Sequence, residues 1–464
     1  MTPLTLAYGN ILSPSLGDEG LLPERLKGDL ADRFRSAHGT VETARKDGRL
    51  GFLSLPADHQ TRRTVQEVAD SFGQWFEAMV VVGIGGSSLG ARALADALLG
   101  LHWNLGSDEE REHYPRLFFL ENADPESFRE LTERVDPRRT LFNIVSKSGS
   151  TAETMAQFLA IEGLLGELLD EEAVNGHLLF TTDPEAGALR RIAGERGIPA
   201  LAVPPSVGGR FSVLSPVGLL PAAVTGIDLA GLMDGAASMI ERCASDDLVR
   251  NPAGLLATLL HAAHVEQGRS IHVLMPYGDR LRTFGLWFQQ LWAESLGKAV
   301  DREGRRVETG PTPIAALGAV DQHSLLQLLM EGPRDKVVVF VRNRAPSAQV
   351  EIPRGHPSMP ALSYLGGHEL GAVLEVERRA TSEALRREGR PSLLLELDGL
   401  DARSLGELFM LSQLATVYAG ALYGVDPLDQ PGVELGKQLT YGLLGREGYP
   451  RPDLTDEDAG GYRV

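Results

Sequence analysis

Between residues 79 and 203, short apolar runs alternate with longer stretches that mix apolar and polar positions at helical spacing. The runs are Met79–Ile84, Leu117–Leu120, Leu141–Val145, His177–Thr181 and Ala200–Val203. They are brief and rich in β-branched or large apolar residues, which predicts strands. Strands that alternate with helices predict a parallel sheet covered on both faces, with ligands at the carboxyl ends of the strands. After a helical stretch from Leu229 to Gln267 the pattern resumes at Ile271–Met275, Val337–Val341 and Leu393–Leu397, apolar enough for buried parallel strands. The expected class is α/β: two doubly wound parallel-sheet domains with helical N- and C-terminal extensions. Its expected divisions are residues 1–60, 61–225, 226–430 and 431–464. The first sixty residues read as helices, for example Leu26–Glu42, and the polar, acidic tail Arg451–Val464 reads as mobile or laid over a neighbour.

Composition narrows the class. A chain of 464 residues exceeds what one core sustains, so two or three domains are expected. The single cysteine, Cys243, has no partner for an intramolecular disulfide, which fits a reducing compartment. The N-terminus shows no basic region followed by an apolar block, so no signal peptide is expected, and the localisation reads as cytoplasmic. Leu408–Val425 is the longest uncharged run, and Ser412, Gln413 and Thr416 within it favour a buried helix over a membrane span. A formal net charge of −18 argues against nucleic acid and repels anions at long range. A phosphorylated ligand then requires locally concentrated positive potential. Six lysines stand against thirty-nine arginines, so each surviving lysine (27, 46, 147, 298, 336, 437) merits a chemical question.

Two strand-to-helix turns answer that requirement. Gly83–Gly90 (GIGGSSLG) follows one apolar run, and Ser146–Thr151 (SKSGST) follows another. Helix starts offer free N–H groups and partial positive charge to anions. The first turn lacks the third glycine of a dinucleotide fingerprint and the Walker pattern. Gly86–Gly90 also matches the nucleophile elbow G-x-S-x-G, with Ser88 as nucleophile, and equally a plain turn that packs helix on sheet. The second turn gathers four hydroxyls and Lys147 within six residues, as an anion cradle or as ordinary N-capping.

Four further positions stand out. Thr283–Lys298 reads as one helix, with Gln290 and Glu294 one turn apart beside Trp287 at the edge of an apolar stripe. A carboxylate shielded by an indole loses hydration and becomes a better base; a solvated surface glutamate fits the same wheel. His323, after Asp321 as N-cap, sits in a first helical turn, where the positive helix end favours a neutral ring. Lys437 falls on an apolar helix face with Glu434 three residues earlier as a partner, or snorkels to solvent. Arg210, between glycines in Gly208–Ser212 (GGRFS), is placed to stabilise an oxyanion or to face solvent from a turn. No spacing of His, Cys or acidic residues predicts a metal site.

Taken together, GIGGSSLG, SKSGST, GGRFS, Gln289–Lys298 (QQLWAESLGK), the segment Asp321–Gly332 and Asp429–Lys437 (DQPGVELGK) resemble the glucose-6-phosphate isomerase family, in its shorter bacterial form. Pro205 before GGRFS and Leu428 before DQ depart from the family pattern outside the chemistry. The resemblance implies sugar-isomerase (SIS-type) domains and an aldose-ketose isomerase that interconverts glucose 6-phosphate and fructose 6-phosphate through ring opening and a cis-enediol(ate), in glycolysis and gluconeogenesis. By it, Glu294 is the proton-shuttling base, His323 and Lys437 assist ring opening, and Arg210 stabilises the enediolate. Gln290 positions substrate, and Gly86, Ser87, Ser146, Lys147, Ser148 and Thr151 form the rest of the binding site, with the hydroxyls and the lysine on the 6-phosphate. It implies a homodimer with His323 contributed across the interface, a small-molecule sugar phosphate as substrate, no cofactor, no metal, no nucleic acid and no membrane. A serine hydrolase using Ser88 and a non-catalytic sugar-phosphate-sensing domain are the competing readings.

Overall fold

Ala78–Val82 (β2) is buried at every position, as a strand covered on both faces must be. In the computed structural model, which describes residues 3–72 and 75–454, it lies inside a five-stranded parallel sheet. The other strands are β3 (Arg116–Leu120), β4 (Thr140–Ser146), β5 (Leu178–Thr182) and β6 (Ala200–Ala202), in the order β3-β2-β4-β5-β6. Val80, Val82, Phe142, Ile144 and Phe180 pack there against Phe158, Ile161 and Leu165 of the helix Ala152–Gly166. The chain runs from β2 outward to β3 and then back across β2 to β4. That reversal creates a crevice between the carboxyl ends of β2 and β4, the location favoured for ligands in open α/β sheets.

The second sheet has the order β1-β12-β11-β7-β10, from β1 (Thr5–Ala7), β7 (Ile271–Tyr277), β10 (Thr312–Ala315), β11 (Lys336–Asn343) and β12 (Ser392–Leu397). Its neighbours are parallel except β1, which pairs antiparallel with β12. A two-stranded ribbon joins β8 (Lys298–Val300) to β9 (Arg306–Thr309). Each apolar run read from the sequence overlaps a strand. The N-terminal segment read as purely helical also supplies β1, whose three residues are too few to display a period of two.

The helical stretch Leu229–Gln267 is two helices, Leu229–Arg242 and Pro252–Gln267. Asn251 caps the second by accepting from Gly254 N–H, and Pro252 at the first helical position enforces the restart. The uncharged run belongs to the helix Ala402–Tyr423, whose most apolar window is 89% buried, as expected of a core helix.

Residues Met1–Pro427 constitute one unit and residues Leu428–Val464 a second. The second contains a 3₁₀ turn, Pro431–Val433, and the helix Glu434–Leu443, where the sequence predicts one helix from Gly432 to Gly445. From residue 455 onward, the expectation for the tail lies outside the described residues.

Candidate active site

Val82 stands opposite Ile144, so the turns after β2 and β4 leave the sheet side by side. A Cβ on Gly83 would lie 3.1 Å from the Val145 carbonyl oxygen. The first turn continues as a 3₁₀ segment, Gly85–Ser87, into the helix Leu89–Leu98. Here the backbone of Gly86 meets that of Gly209: a Cβ at residue 86 would stand 2.2 Å from the Gly209 carbonyl carbon. Only glycine permits that approach. The Ser212 hydroxyl lies 2.7 Å from the Gly209 carbonyl and 3.1 Å from that of Gly86, tying the two segments together.

Ser88 does not behave as a nucleophile. Its side chain is fully buried and donates to Glu121 Oε1 at 2.8 Å, and Glu121 in turn pairs with Arg92. A nucleophile elbow needs an exposed hydroxyl with a histidine beside it. The geometry at Ser88 removes the hydrolase reading.

In the second turn the buried Ser146 hydroxyl accepts from Gly149 N–H and bonds Thr151 Oγ1, both at 3.1 Å. Ser148 Oγ accepts from Ser150 N–H at 3.3 Å and from its hydroxyl at 3.1 Å. Thr151 is the N-cap of Ala152–Gly166 but caps no backbone N–H with its side chain. The helix start therefore keeps its donors for another acceptor. Lys147 Nζ donates to the carbonyls of Pro205 (2.6 Å) and Val207 (3.0 Å). Burial holds its ammonium below the usual lysine range, and Asp183 partly offsets this. Since the contact is to the main-chain oxygen of Pro205, the departure from the family pattern at that residue leaves the clamp intact.

Arg210 lies in the 3₁₀ segment Gly209–Leu214, its side chain only 1% exposed. Phe52 stacks on Phe211 at 4.9 Å, and Gln413 donates to the Phe211 carbonyl, so the loop is fixed from both sides. The guanidinium donates through Nε to Ser295 Oγ at 2.7 Å, through Nη1 to Glu294 Oε1 at 3.2 Å, and through Nη2 to the Pro427 carbonyl.

Glu294 belongs to the last turn of the helix Arg282–Leu296. Its Oε2 accepts from Gln290 Nε2 at 3.1 Å. A carboxylate only accepts, so the Gln290 amide must turn its nitrogen toward Glu294. The buried Oε1 of Gln290 accepts nothing from the described residues. Lys298 Nζ donates to the Glu294 carbonyl at 2.9 Å, a cation at a helix C-terminus. The indole expected beside the carboxylate faces elsewhere: Trp287 packs on Phe284 and Phe409. The groups that hold Glu294 are a guanidinium and an amide.

The structure thus links Ser146–Thr151 through Lys147 to Gly208–Ser212, that loop to Gly86, and Arg210 to Glu294 and Gln290. Gln290 Nε2 would lie 3.0 Å from a Cβ on Gly85, which closes the ring. His323 is not part of this ring. It ends a 3₁₀ segment, Val320–His323, instead of opening the helix, which runs from Leu326 to Glu331. Asp321 is engaged with Leu317 N–H and the Ser324 hydroxyl, so it does not cap the helix. His323 is exposed, and its side chain makes no hydrogen bond with the described residues. Within the C-terminal unit Lys437 is half-exposed and paired with Glu434 at 2.7 Å. No group of three or more His, Cys, Asp or Glu among the described residues is arranged to hold a metal ion.

The family model described as phosphoglucose isomerase matches residues 63–447. The chain belongs to the phosphoglucose isomerase family. A glucose-6-phosphate isomerase from Rubrobacter xylanophilus is 44% identical over 97% of this chain and 100% of its own. One from Carboxydothermus hydrogenoformans is 40% identical over 96% of both. Among solved structures, a hypothetical protein from Thermus thermophilus superposes with a TM-score of 0.84 at 39% identity, covering 95% of this chain and 100% of that one. A glucose-6-phosphate isomerase from Chlamydia trachomatis gives 0.73 at 25% identity, covering 83% of this chain and 73% of that one.

For this family member, sequence reasoning did not single out Ser295, Lys298 or Ser212, which hold the site's charged groups and loops in place. Lys298 carried a faint signal as one of only six lysines. Ser295 carried another, as a hydroxyl on an apolar stripe.

Proposed function

We propose that this chain is a glucose-6-phosphate isomerase, interconverting glucose 6-phosphate and fructose 6-phosphate in glycolysis and gluconeogenesis. The observation that carries the reading is the Arg210–Glu294–Gln290 constellation, tied through the Gly208–Ser212 loop to an uncapped helix start rich in hydroxyls. In the aldose-to-ketose direction Glu294 takes the proton from C2 of the open sugar. The C2–H electron pair becomes the C1–C2 double bond, and the O1 carbonyl pair becomes the enediolate oxyanion. Arg210 balances that charge as Glu294 loses its own. A proton passes from the O2 hydroxyl to O1, and as Glu294 returns its proton to C1 the O2 electron pair forms the C2 carbonyl, which gives the ketose. Gln290 Oε1, lacking a donor among the described residues, is suited to accept from a sugar hydroxyl.

Gly86, Ser87, Ser146, Lys147, Ser148 and Thr151 hold the 6-phosphate end, and His323 and Lys437 assist ring opening. His323 serves the partner subunit's site in a homodimer, which its exposure and lack of side-chain partners among the described residues support. The divisions proposed are 1–60, 61–225, 226–430 and 431–464; the sheet of β2 to β6 within the second, and β7, β10, β11 and β12 within the third, support them, while β1 crosses from the first to pair with β12. Enolisation needs a base and an oxyanion stabiliser, so the reaction proceeds without a cofactor. The reducing cytoplasm is the expected compartment, in keeping with the buried free thiol of Cys243.

A coupled assay that follows glucose 6-phosphate formed from fructose 6-phosphate tests the reading. Sustained conversion is expected, and its absence from folded protein overturns the proposal. Mannose 6-phosphate assayed alongside reports selectivity at C2.

A further inference from the structure

Arg210 is held by two kinds of acceptor. Glu294 Oε1 is charged, whereas Ser295 Oγ and the Pro427 carbonyl are neutral. In the isomerase reading, on which this inference rests, Glu294 becomes a neutral acid at the moment the substrate becomes an oxyanion. The contact between Nη1 and Glu294 then loses its ion-pair attraction and is left as a hydrogen bond from a charged donor to a neutral carboxyl group. A buried guanidinium fixed only by that ion pair would be free to follow the charge and lose its alignment. The bonds at Nε and Nη2 do not change with the protonation of Glu294.

We infer that Ser295 is a positioning residue: its hydroxyl locks the plane of the Arg210 guanidinium, so that the cation stays in place while its ion-pair partner is neutralised. The chain connectivity makes this economical. Glu294 and Ser295 are consecutive on the last turn of one helix, so a single backbone segment sets both the base and the anchor of its cation. Ser295 is fully buried, and its 2.7 Å contact to Nε is 0.5 Å shorter than the 3.2 Å contact from Nη1 to Glu294. Nε and Nη2 are separate atoms of one rigid plane, so the bonds to Ser295 Oγ and the Pro427 carbonyl together fix that plane without Glu294.

Such a role acts on the transition state more than on substrate binding. In Ser295→Ala, kcat is expected to fall about 10- to 100-fold with KM for fructose 6-phosphate unchanged within about twofold. Affinity for the hydroxamate of 5-phosphoarabinonic acid, a planar mimic of the enediolate, should fall by about the same factor as kcat/KM. Ser295→Cys keeps the shape and supplies only a weak acceptor, so it should resemble Ser295→Ala in kcat while retaining more thermal stability. It also serves if the alanine variant fails to fold. Near-normal kcat and hydroxamate affinity in either folded variant overturns the assignment of Ser295. A wild-type enzyme that neither isomerises the sugar phosphates nor binds the hydroxamate overturns the isomerase reading itself, a distinct outcome.

Discussion

The guanidinium of Arg210 and the carboxylate of Glu294 meet at 3.2 Å, with the arginine buried and the glutamate side chain 24% exposed. The cation thus lies on the protein side of the pair and the base on the open side. Its planar fork reaches both Glu294 and Ser295 on one helix and the Pro427 carbonyl on a second segment, which an ammonium cannot reproduce. Arg210→Lys is therefore expected to lower turnover at least about 100-fold, the scale of losing one oxyanion donor. Steady-state kinetics of the purified variant check this. Activity near that of wild type would mean that only the charge, and not the fork, matters.

The contact between Gly86 and Gly209 makes a second prediction. A methyl group at residue 86 would collide with main-chain atoms, which cannot move as a side-chain tip can. Gly86→Ala should destabilise the protein by about 1–3 kcal/mol and displace the Arg210 loop, so activity falls with stability. A thermal melt and an assay on the same preparation test it. An unchanged Tm with full activity would contradict the packing described.

If His323 completes the neighbouring subunit's site, two inactive variants should rescue each other. Glu294→Gln and His323→Ala, unfolded and refolded together, form mixed dimers in which one of the two sites has both residues intact. Random pairing makes half the dimers mixed, so about a quarter of wild-type activity should return. No recovery from well-folded mixed dimers would assign His323 to its own chain.

Acid sensitivity follows from buried histidines away from the site. His272 Nδ1 accepts from Trp292 Nε1, its Nε2 finds no partner among the described residues, and burial pushes it down to about 3. Burial, with Arg33 and His264 nearby, pushes His261 down to about 4. In the unfolded chain both titrate near 6.5. Below that pH the unfolded state takes up protons that the folded state refuses, so stability falls as pH drops from about 6.5 toward 4. The urea midpoint should decline over this window, and less steeply in His272→Gln. Equal slopes would show that His272 does not contribute.

The legible parts of the molecule were those with local signatures. All eight apolar runs overlap strands, because a strand buried on both faces must be apolar throughout. β1, β8, β9 and β10 escaped, being three or four residues long, with partners set by tertiary pairing. Both turns of the site were visible as glycine and hydroxyl clusters, and Gln290 with Glu294 as one helical turn. Ser295 was not, because its task depends on a side chain arriving from 85 residues away. The environment of Glu294 was misread for a related reason: the helical wheel shows Trp287 nearby and says nothing of Arg210.

Turnover by Glu294→Gln, measured as glucose 6-phosphate formed from fructose 6-phosphate with substrate affinity determined in parallel, bears most directly on the assignment of the base. A positioned general base contributes about 10²–10⁴-fold, so kcat should drop by at least the lower figure while sugar-phosphate binding is retained. Turnover equal to that of wild type would place the proton transfer on another group and contradict the mechanism.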